Sequence, residues 1–156
     1  MVKLVPKEES RIRLSPNGRW YHEDEPFENA KIIDFFHRAI RRDEKGHFYL
    51  HNTLGDKEEH VYFEVEDTAY FLTGIDLDPE HNELKVVLNT GKEQSVDPDA
   101  LYEGDGEVMY CRLSGDVRAR LTREALMQLA DLSRTDEKGI YLLVGQRKVY
   151  LHEEKN

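Results

Sequence analysis

The sequence contains a single cysteine, Cys111, and no long run of apolar residues. One cysteine excludes an internal disulfide framework and every cysteine-based zinc pattern, and it is typical of proteins in a reducing cytoplasm. No apolar run approaches the roughly 18 residues that a membrane-spanning helix requires. The segment Met1–Pro6 also lacks the apolar core of a signal peptide. We therefore expect a cytoplasmic protein that does not cross a membrane.

Basic residues are scarce: 22 lysines and arginines face 32 acidic residues, which gives a net charge of −10. A nucleic-acid partner is not expected, because binding to a phosphate backbone depends on clustered lysines and arginines. The acidic excess lies in residues 54–107, where 3 basic residues accompany 16 acidic ones. This segment is either a solvated face that keeps the protein soluble, or a surface for a cation or a basic partner.

Apolar residues at helical spacing predict two helices, over residues 27–42 and 122–133. In the second helix Thr122 is a suitable N-cap, and Leu126, Leu129 and Ala130 are expected to face inward. The apolar stripe of the first helix consists of Phe27, Ile32, Ile33, Phe36, Ala39 and Ile40. Nearly all other segments have the alternation and turn residues of short strands, so the predicted fold class is α+β.

Both predicted helices are followed by the same four residues, Asp-Glu-Lys-Gly, at 43–46 and at 136–139. Each copy leads into an aromatic-rich strand, and the glycine permits the positive φ that a chain reversal after a helix often requires. We interpret this as an internal duplication, with chance recurrence of common turn residues as the alternative.

Two similar, closely packed units are therefore predicted, over residues 10–82 and 83–152. Each is expected to be a curved, mostly antiparallel sheet packed on one main helix. The segment Asp97–Gly106 contains Pro98, Gly104 and Gly106 and is the predicted loop between units.

One predicted hairpin has an unusual distribution of charge. If residues 114–116 (Ser-Gly-Asp) form its loop, Arg112 faces Arg118 and Tyr110 faces Arg120 across the two strands. Like charges that face each other destabilise a strand pair unless an anion lies between them. The sequence therefore predicts a negative group beside these arginines.

This negative group is either an acidic side chain of residues 54–107 or a small phosphate or carboxylate ligand. A ligand would be favoured by the N-terminus of the helix that begins after Thr122. The candidate ligand-binding residues are Tyr110, Arg112, Arg118 and Arg120.

The other reactive residue types form no recognisable site. His47 and His51 are four residues apart on a predicted strand, hence ~13 Å apart and too distant to share a metal. Cys111 lies in a predicted strand without a nearby histidine, so a buried structural thiol is expected. The sequence has no Gly-x-Ser-x-Gly elbow, P-loop or dinucleotide-binding fingerprint. We predict no metal and no cofactor, and the catalytic residues, if any, stay unknown.

Four short stretches resemble a bacterial family of uncharacterised proteins, the domain-of-unknown-function family 1285. They are residues 17–22 (Asn-Gly-Arg-Trp-Tyr-His), residues 42–50, residues 65–67, and Arg112 together with residues 119–123. The resemblance extends from about residue 11 to 133. It implies a two-part α+β protein with internal repetition and a link to signalling, and it brings no catalytic residue, cofactor or substrate.

These observations favour a non-enzymatic ligand-binding or signalling module that recognises a small anionic ligand or a partner protein. One alternative is an enzyme whose site lies between the two units and uses carboxylates and histidines. The other is a structural interaction protein whose acidic middle segment contacts a basic partner.

Overall fold

A computed structural model describes residues 2–114 and 116–153. Its helices are α1 (Lys7–Ser10), α2 (Ala30–Ala39) and α3 (Arg123–Leu132), with single 3₁₀ turns at Pro98–Ala100 and Asp105–Glu107. The strands up to residue 78 are β1 (Val2–Val5), β2 (Ile12–Leu14), β3 (Trp20–His22), β4 (Glu25–Pro26), β5 (Ile40–Arg42), β6 (Phe48–Leu54), β7 (Lys57–Tyr62), β8 (Glu64–Val65) and β9 (Tyr70–Asp78). They are followed by β10 (Glu83–Leu88), β11 (Glu93–Val96), β12 (Leu101–Glu103), β13 (Met109–Ser114), β14 (Val117–Leu121), β15 (Ser133–Asp136), β16 (Gly139–Val144), β17 (Arg147–Tyr150) and β18 (His152–Glu153). The α+β fold class is thus confirmed.

Helix α2 is shorter than the predicted helix at both ends. Its N-cap is Asn29, whose side-chain oxygen accepts hydrogen bonds from the backbone N–H groups of Lys31 and Ile32 at 3.0 and 3.2 Å. Its C-terminal end is fixed by Ile40, which leaves the helical conformation and starts β5. The predicted last turn, residues 40–42, is therefore a strand.

Helix α3 begins where predicted, because the Thr122 hydroxyl accepts a hydrogen bond from the backbone N–H of Ala125 at 3.2 Å. Its inward face differs from the prediction. Ala125 and Leu129 are buried, whereas Leu126 and Ala130 are exposed. The prediction is confirmed for Leu129 and wrong for Leu126 and Ala130, because the buried face runs through residues 125 and 129, which are one helical turn apart. No helix in the described residues is long and apolar enough to cross a membrane.

The chain divides into two compact units between Ala69 and Tyr70. The predicted division between residues 82 and 83 lies later in the chain. The difference arises because β9 forms an antiparallel pair with β10 and a parallel pair with β14, and so belongs to the second unit.

The first unit contains two four-stranded sheets, in the orders β1-β7-β6-β5 and β4-β3-β2-β8. Strands β5, β6 and β7 form an antiparallel meander directly after α2, which we call the first meander. The core is built around the buried Trp20, whose ring packs edge-on against Phe36 of α2 at 5.2 Å and against Phe63 at 4.9 Å.

The second unit contains a seven-stranded sheet in the order β11-β10-β9-β14-β13-β12-β18. Strands β15, β16 and β17 follow α3 directly and form a second antiparallel meander, which we call the second meander. The segment 97–106 is not the loop that its glycines and proline predict. It contains β12, which pairs with β13 and buries Leu101 and Tyr102.

Candidate functional site

The arginine-bearing hairpin has the predicted register. Tyr110 lies opposite Arg120 and Arg112 lies opposite Arg118 across β13 and β14. The register shifts after Arg112, so that Ser114 faces Val117. Gly115, at the centre of the predicted loop, lies outside the described residues.

Each of the two facing arginines stacks on a tyrosine ring. The guanidinium of Arg112 lies 4.2 Å from the centre of the Tyr102 ring, and that of Arg118 lies 4.0 Å from the centre of the Tyr110 ring. The two rings are themselves stacked, with centres 5.6 Å apart. Aromatic faces attract guanidinium groups electrostatically. The arginine pair therefore does not by itself require an anion, contrary to the expectation from the hairpin alone.

The single cysteine has the structural role predicted for it. Cys111 lies between Tyr110 and Arg112 in β13, its side chain is fully buried in the apolar core with Leu101 and Ala119, and burial raises the pKa of its thiol to about 12. A thiol with so high a pKa is not ionised at neutral pH and is a poor nucleophile.

The first unit has an open cleft of about 1190 Å³. Part of its lining is the end of β1 and the start of α1, including Lys7. The rest comes from the Asp-Glu-Lys-Gly turn, the first residues of β6, and the last residues of β7 with residues 63–65. The aromatic lining comes from Phe48, Tyr49, Tyr62 and Phe63, and the charged lining includes Lys7, Glu8, Arg42, Asp43, Glu44, Lys45 and Glu64.

Asp43 fixes the turn at the base of this cleft. One carboxylate oxygen accepts hydrogen bonds from the backbone N–H groups of Lys45 and His47, and the other accepts one from the Tyr62 hydroxyl at 3.0 Å. The N–H of His47 is the main cause that lowers the pKa of Asp43, with Tyr62 and Lys45 adding to it. Burial, followed by the bond to Asp43, raises the pKa of Tyr62. At neutral pH the Asp43 carboxylate is therefore ionised and the Tyr62 hydroxyl is neutral.

Two histidines and a glutamate meet on the same two strands. His51 of β6 lies directly opposite His60 of β7, and the Nε2 atom of each is 2.9 Å from the same oxygen of Glu58. Hydrogen bonds from His60 and then His51 lower the pKa of Glu58. The His60 ring stacks on Tyr49 with centres 4.1 Å apart. His60 thereby links this cluster to the cleft, which it also lines.

The second meander has a related turn. The Asp136 carboxylate accepts hydrogen bonds from the backbone N–H of Lys138 at 2.8 Å, from the Tyr150 hydroxyl at 2.6 Å and from the Lys148 ammonium at 2.9 Å. Tyr150 and then Lys148 lower the pKa of Asp136 to about 2. Lys148 also lies 4.6 Å from the centre of the Tyr141 ring.

The predicted and observed candidate residues therefore differ. Tyr110, Arg112, Arg118 and Arg120 do lie together, whereas the cleft and the histidine pair were not predicted. Spacing along the sequence relates His51 to His47, whereas its cross-strand neighbour is His60. The alternating run of residues 60–66 and the turn at Gly55 would have placed His51 opposite His60 as a hairpin.

Comparisons with known proteins show the fold. No protein-family model matches the sequence, and a search of curated proteins finds no match. The structure is similar to that of a DUF1285 family protein from Silicibacter pomeroyi DSS-3, at 14% identity and a TM-score of 0.61, over 97% of this chain and 83% of that chain. It is also similar to a DUF1285 family protein from Shewanella baltica OS155, at 17% identity and a TM-score of 0.54, over 80% of this chain and 94% of that chain. The resemblance to the domain-of-unknown-function family 1285 is confirmed for the fold.

Proposed function

We propose that the protein is a non-enzymatic ligand-binding or signalling module of the cytoplasm, and that its ligand is a small molecule bound in the cleft of the first unit. The observation that carries the proposal is the cleft itself. Its volume of about 1190 Å³ is slightly above the range of about 300–1,000 Å³ for small-molecule sites, and its walls combine aromatic rings with charged groups.

The chemistry of the walls favours a ligand with a flat ring and a negatively charged group. The rings of Tyr49 and Tyr62, which face each other across β6 and β7 with centres 5.4 Å apart, offer apolar contact to a planar group. Lys7 and Lys45 both line the cleft, are exposed, and supply positive charges for a phosphate or carboxylate. Nucleotides and phosphorylated aromatic metabolites combine both features.

The ionisation of the cleft residues supports binding over catalysis. A general acid or base works best when its pKa lies near the working pH. The pKa of Asp43 is lowered and that of Tyr62 is raised, so both are displaced away from neutrality. This pair serves to hold the turn in shape.

A titration with a panel of nucleotides and phosphorylated metabolites tests the proposal. The variant Lys7→Ala/Lys45→Ala is compared with wild type by isothermal titration calorimetry. Lys138→Ala is the matched control, because Lys138 has the same place in the Asp-Glu-Lys-Gly turn of the second meander. We expect a panel member to bind wild type and Lys138→Ala equally, and the double variant at least tenfold more weakly. If no panel member binds, or if the double variant binds as tightly as wild type, the proposal fails.

The arginine face is the second candidate for an anion site. Arg112 is exposed beside Arg118, and a guanidinium stacked on a ring retains N–H groups at its edge for a phosphate or carboxylate. The same titration on Arg118→Ala separates the two sites. A loss of affinity in Arg118→Ala together with normal binding by the lysine double variant would move the ligand to the arginine face.

We also infer that the two meanders derive from an internal duplication. Each follows a ten-residue helix without a linker, and each turn contains an aspartate that accepts hydrogen bonds from the lysine N–H two residues later and from a tyrosine hydroxyl on the third strand. The cross-strand rows also correspond: Arg41, Tyr49 and Tyr62 in the first meander, and Arg134, Tyr141 and Tyr150 in the second. Shared pairings of this kind support the duplication more strongly than the repeated four residues alone.

A further inference from the structure

His51, Glu58 and His60 form a cluster whose composition and geometry differ from the ion pairs elsewhere in the described residues. Both imidazole Nε2 atoms lie 2.9 Å from one carboxylate oxygen, and the three ligand atoms lie within 4.8 Å of one another. Two histidines thus converge on one carboxylate, whereas His81 pairs alone with Asp78.

Strand register explains why the three side chains share a face. His51 and His60 are directly opposite each other in the antiparallel pair of β6 and β7. Glu58 precedes His60 by two residues, and side chains two residues apart on a strand lie on the same face. The cluster therefore follows from the backbone pairing and does not depend on a flexible loop.

We propose that His51, Glu58 and His60 bind a divalent transition-metal ion, for which Zn²⁺ is the best match. Two imidazole nitrogens and one carboxylate oxygen are a ligand set found in zinc sites with an open fourth position. Imidazole also favours Zn²⁺, Cu²⁺ and Ni²⁺ over Mg²⁺ and Ca²⁺, which prefer oxygen ligands.

Small side-chain adjustments bring the three ligands to metal-binding distances. Zinc lies about 2.0–2.2 Å from histidine nitrogens and carboxylate oxygens, which places neighbouring ligand atoms about 3.4 Å apart in a tetrahedral site. The present 2.9 Å contacts to Glu58 are slightly shorter than that, so the metal enters by replacing the two N–H···O hydrogen bonds. For each Nε2 to present its lone pair to the metal, the neutral ring changes tautomer and carries its proton on Nδ1 instead of Nε2.

The partial exposure of the cluster favours an exchangeable metal ion that has one coordination position open to solvent. The side chains are part-exposed, at 32% for His51, 43% for Glu58 and 19% for His60, so a water molecule or a small ligand reaches the fourth position. Stacking on Tyr49 orients the His60 ring. All three ligands come from β6 and β7, so zinc binding does not require a ligand in the cleft that His60 also lines.

Isothermal titration calorimetry of the untagged full chain with zinc chloride tests the site. We expect one Zn²⁺ ion per chain, with affinity at least tenfold lower in His51→Ala, His60→Ala and Glu58→Gln. His81→Ala is the matched control, since it removes another histidine bonded to a carboxylate, and it is expected to bind zinc as wild type does. Magnesium chloride is expected to give no comparable binding.

Several outcomes would overturn the proposal. They are an absence of stoichiometric zinc binding by wild type, equal affinity in wild type and the three cluster variants, and a loss of affinity in His81→Ala as large as in His51→Ala. Circular dichroism of each variant checks its fold. Glu58→Gln keeps the size of the side chain at a part-exposed position, so it remains informative if a histidine variant does not fold.

Discussion

The first and second meanders share a framework and differ in what they place on it. In both, a helix leads directly into three antiparallel strands, and an aspartate in the first turn bonds to a tyrosine on the third strand. In both, two tyrosines face each other across the second and third strands, Tyr49 with Tyr62 and Tyr141 with Tyr150. The common part consists of contacts that hold the turn and the sheet together.

The differences lie beyond the tyrosine pair. Two positions further along the hairpin, the first meander has His51 opposite His60, and the second has Leu143 opposite Lys148. The stacking partner changes accordingly: His60 lies on Tyr49, whereas Lys148 lies on Tyr141 and also bonds to an aspartate.

Hairpin length adds a second difference. The first meander pairs residues as far as Leu54 with Lys57, and this extension contains the row of Glu58. In the second meander the last pair of the corresponding hairpin is Val144 with Arg147, so this hairpin is shorter. A longer hairpin and two histidines together produce the carboxylate–imidazole cluster. The second meander therefore has the shared structural contacts, with Leu143 and Lys148 at the positions of the two histidines.

The largest expected effect concerns the shared framework. Leu50 and Leu142 each follow the tyrosine of their strand, and both are buried. Replacing either by alanine is expected to lower the free energy of unfolding by about 2–5 kcal/mol, because a buried cavity is left. Urea denaturation followed by circular dichroism measures this.

The control for this pair is Leu54→Ala at the exposed end of β6, where the expected change is within about 0.5 kcal/mol. A loss below about 1 kcal/mol in only one of the two buried leucine variants would show that the meanders are not equivalent in packing.

A smaller effect distinguishes the two turns. The hydroxyl of Tyr150 is the main cause that lowers the pKa of Asp136 to about 2, whereas the backbone N–H of His47 is the main cause for Asp43. Tyr150→Phe is therefore expected to raise the pKa of Asp136 more than Tyr62→Phe raises that of Asp43. NMR titration of the two carboxyl groups measures both.

The lowered pKa of Asp136 also makes the stability of the protein depend on pH. A carboxylate whose pKa is lowered on folding stabilises the protein above its unfolded pKa, and this contribution is lost as the pH falls towards the folded value. For Asp136 the loss occurs between about pH 4 and pH 2. Tyr150→Phe should raise the lower end of this pH range, because it raises the pKa of Asp136 in the folded protein. A larger change at Asp43 than at Asp136 would reverse the assignment of causes.

Local patterns in the sequence were sufficient for much of the fold. The start of α3 depends on one side-chain cap at Thr122, and the facing of Arg112 and Arg118 depends on one short loop, so both could be predicted. Whether an anion is needed beside those arginines could not be predicted from the hairpin alone, because it depends on a residue from another strand. Tyr102, which stacks on Arg112, comes from β12, a strand hidden in a segment rich in turn residues.

The candidate site was harder to predict because it depends on pairings between separate segments. The cleft joins α1 to the turn at residues 43–46, which are more than thirty positions apart in the chain. The histidine cluster requires the register of β6 with β7, which fixes that His51 faces His60. The spacing of residues within one strand predicts neither the cleft nor the pairing of the two histidines.

The central claim is that binding belongs to the first meander and that the second is structural. The most direct measurement follows backbone amide NMR signals of the full chain during addition of zinc chloride. We predict that the changes concentrate in β6 and β7 around His51, Glu58 and His60, and leave β16 and β17 unchanged. Changes centred on β16 and β17, or spread evenly over both meanders, would contradict the account.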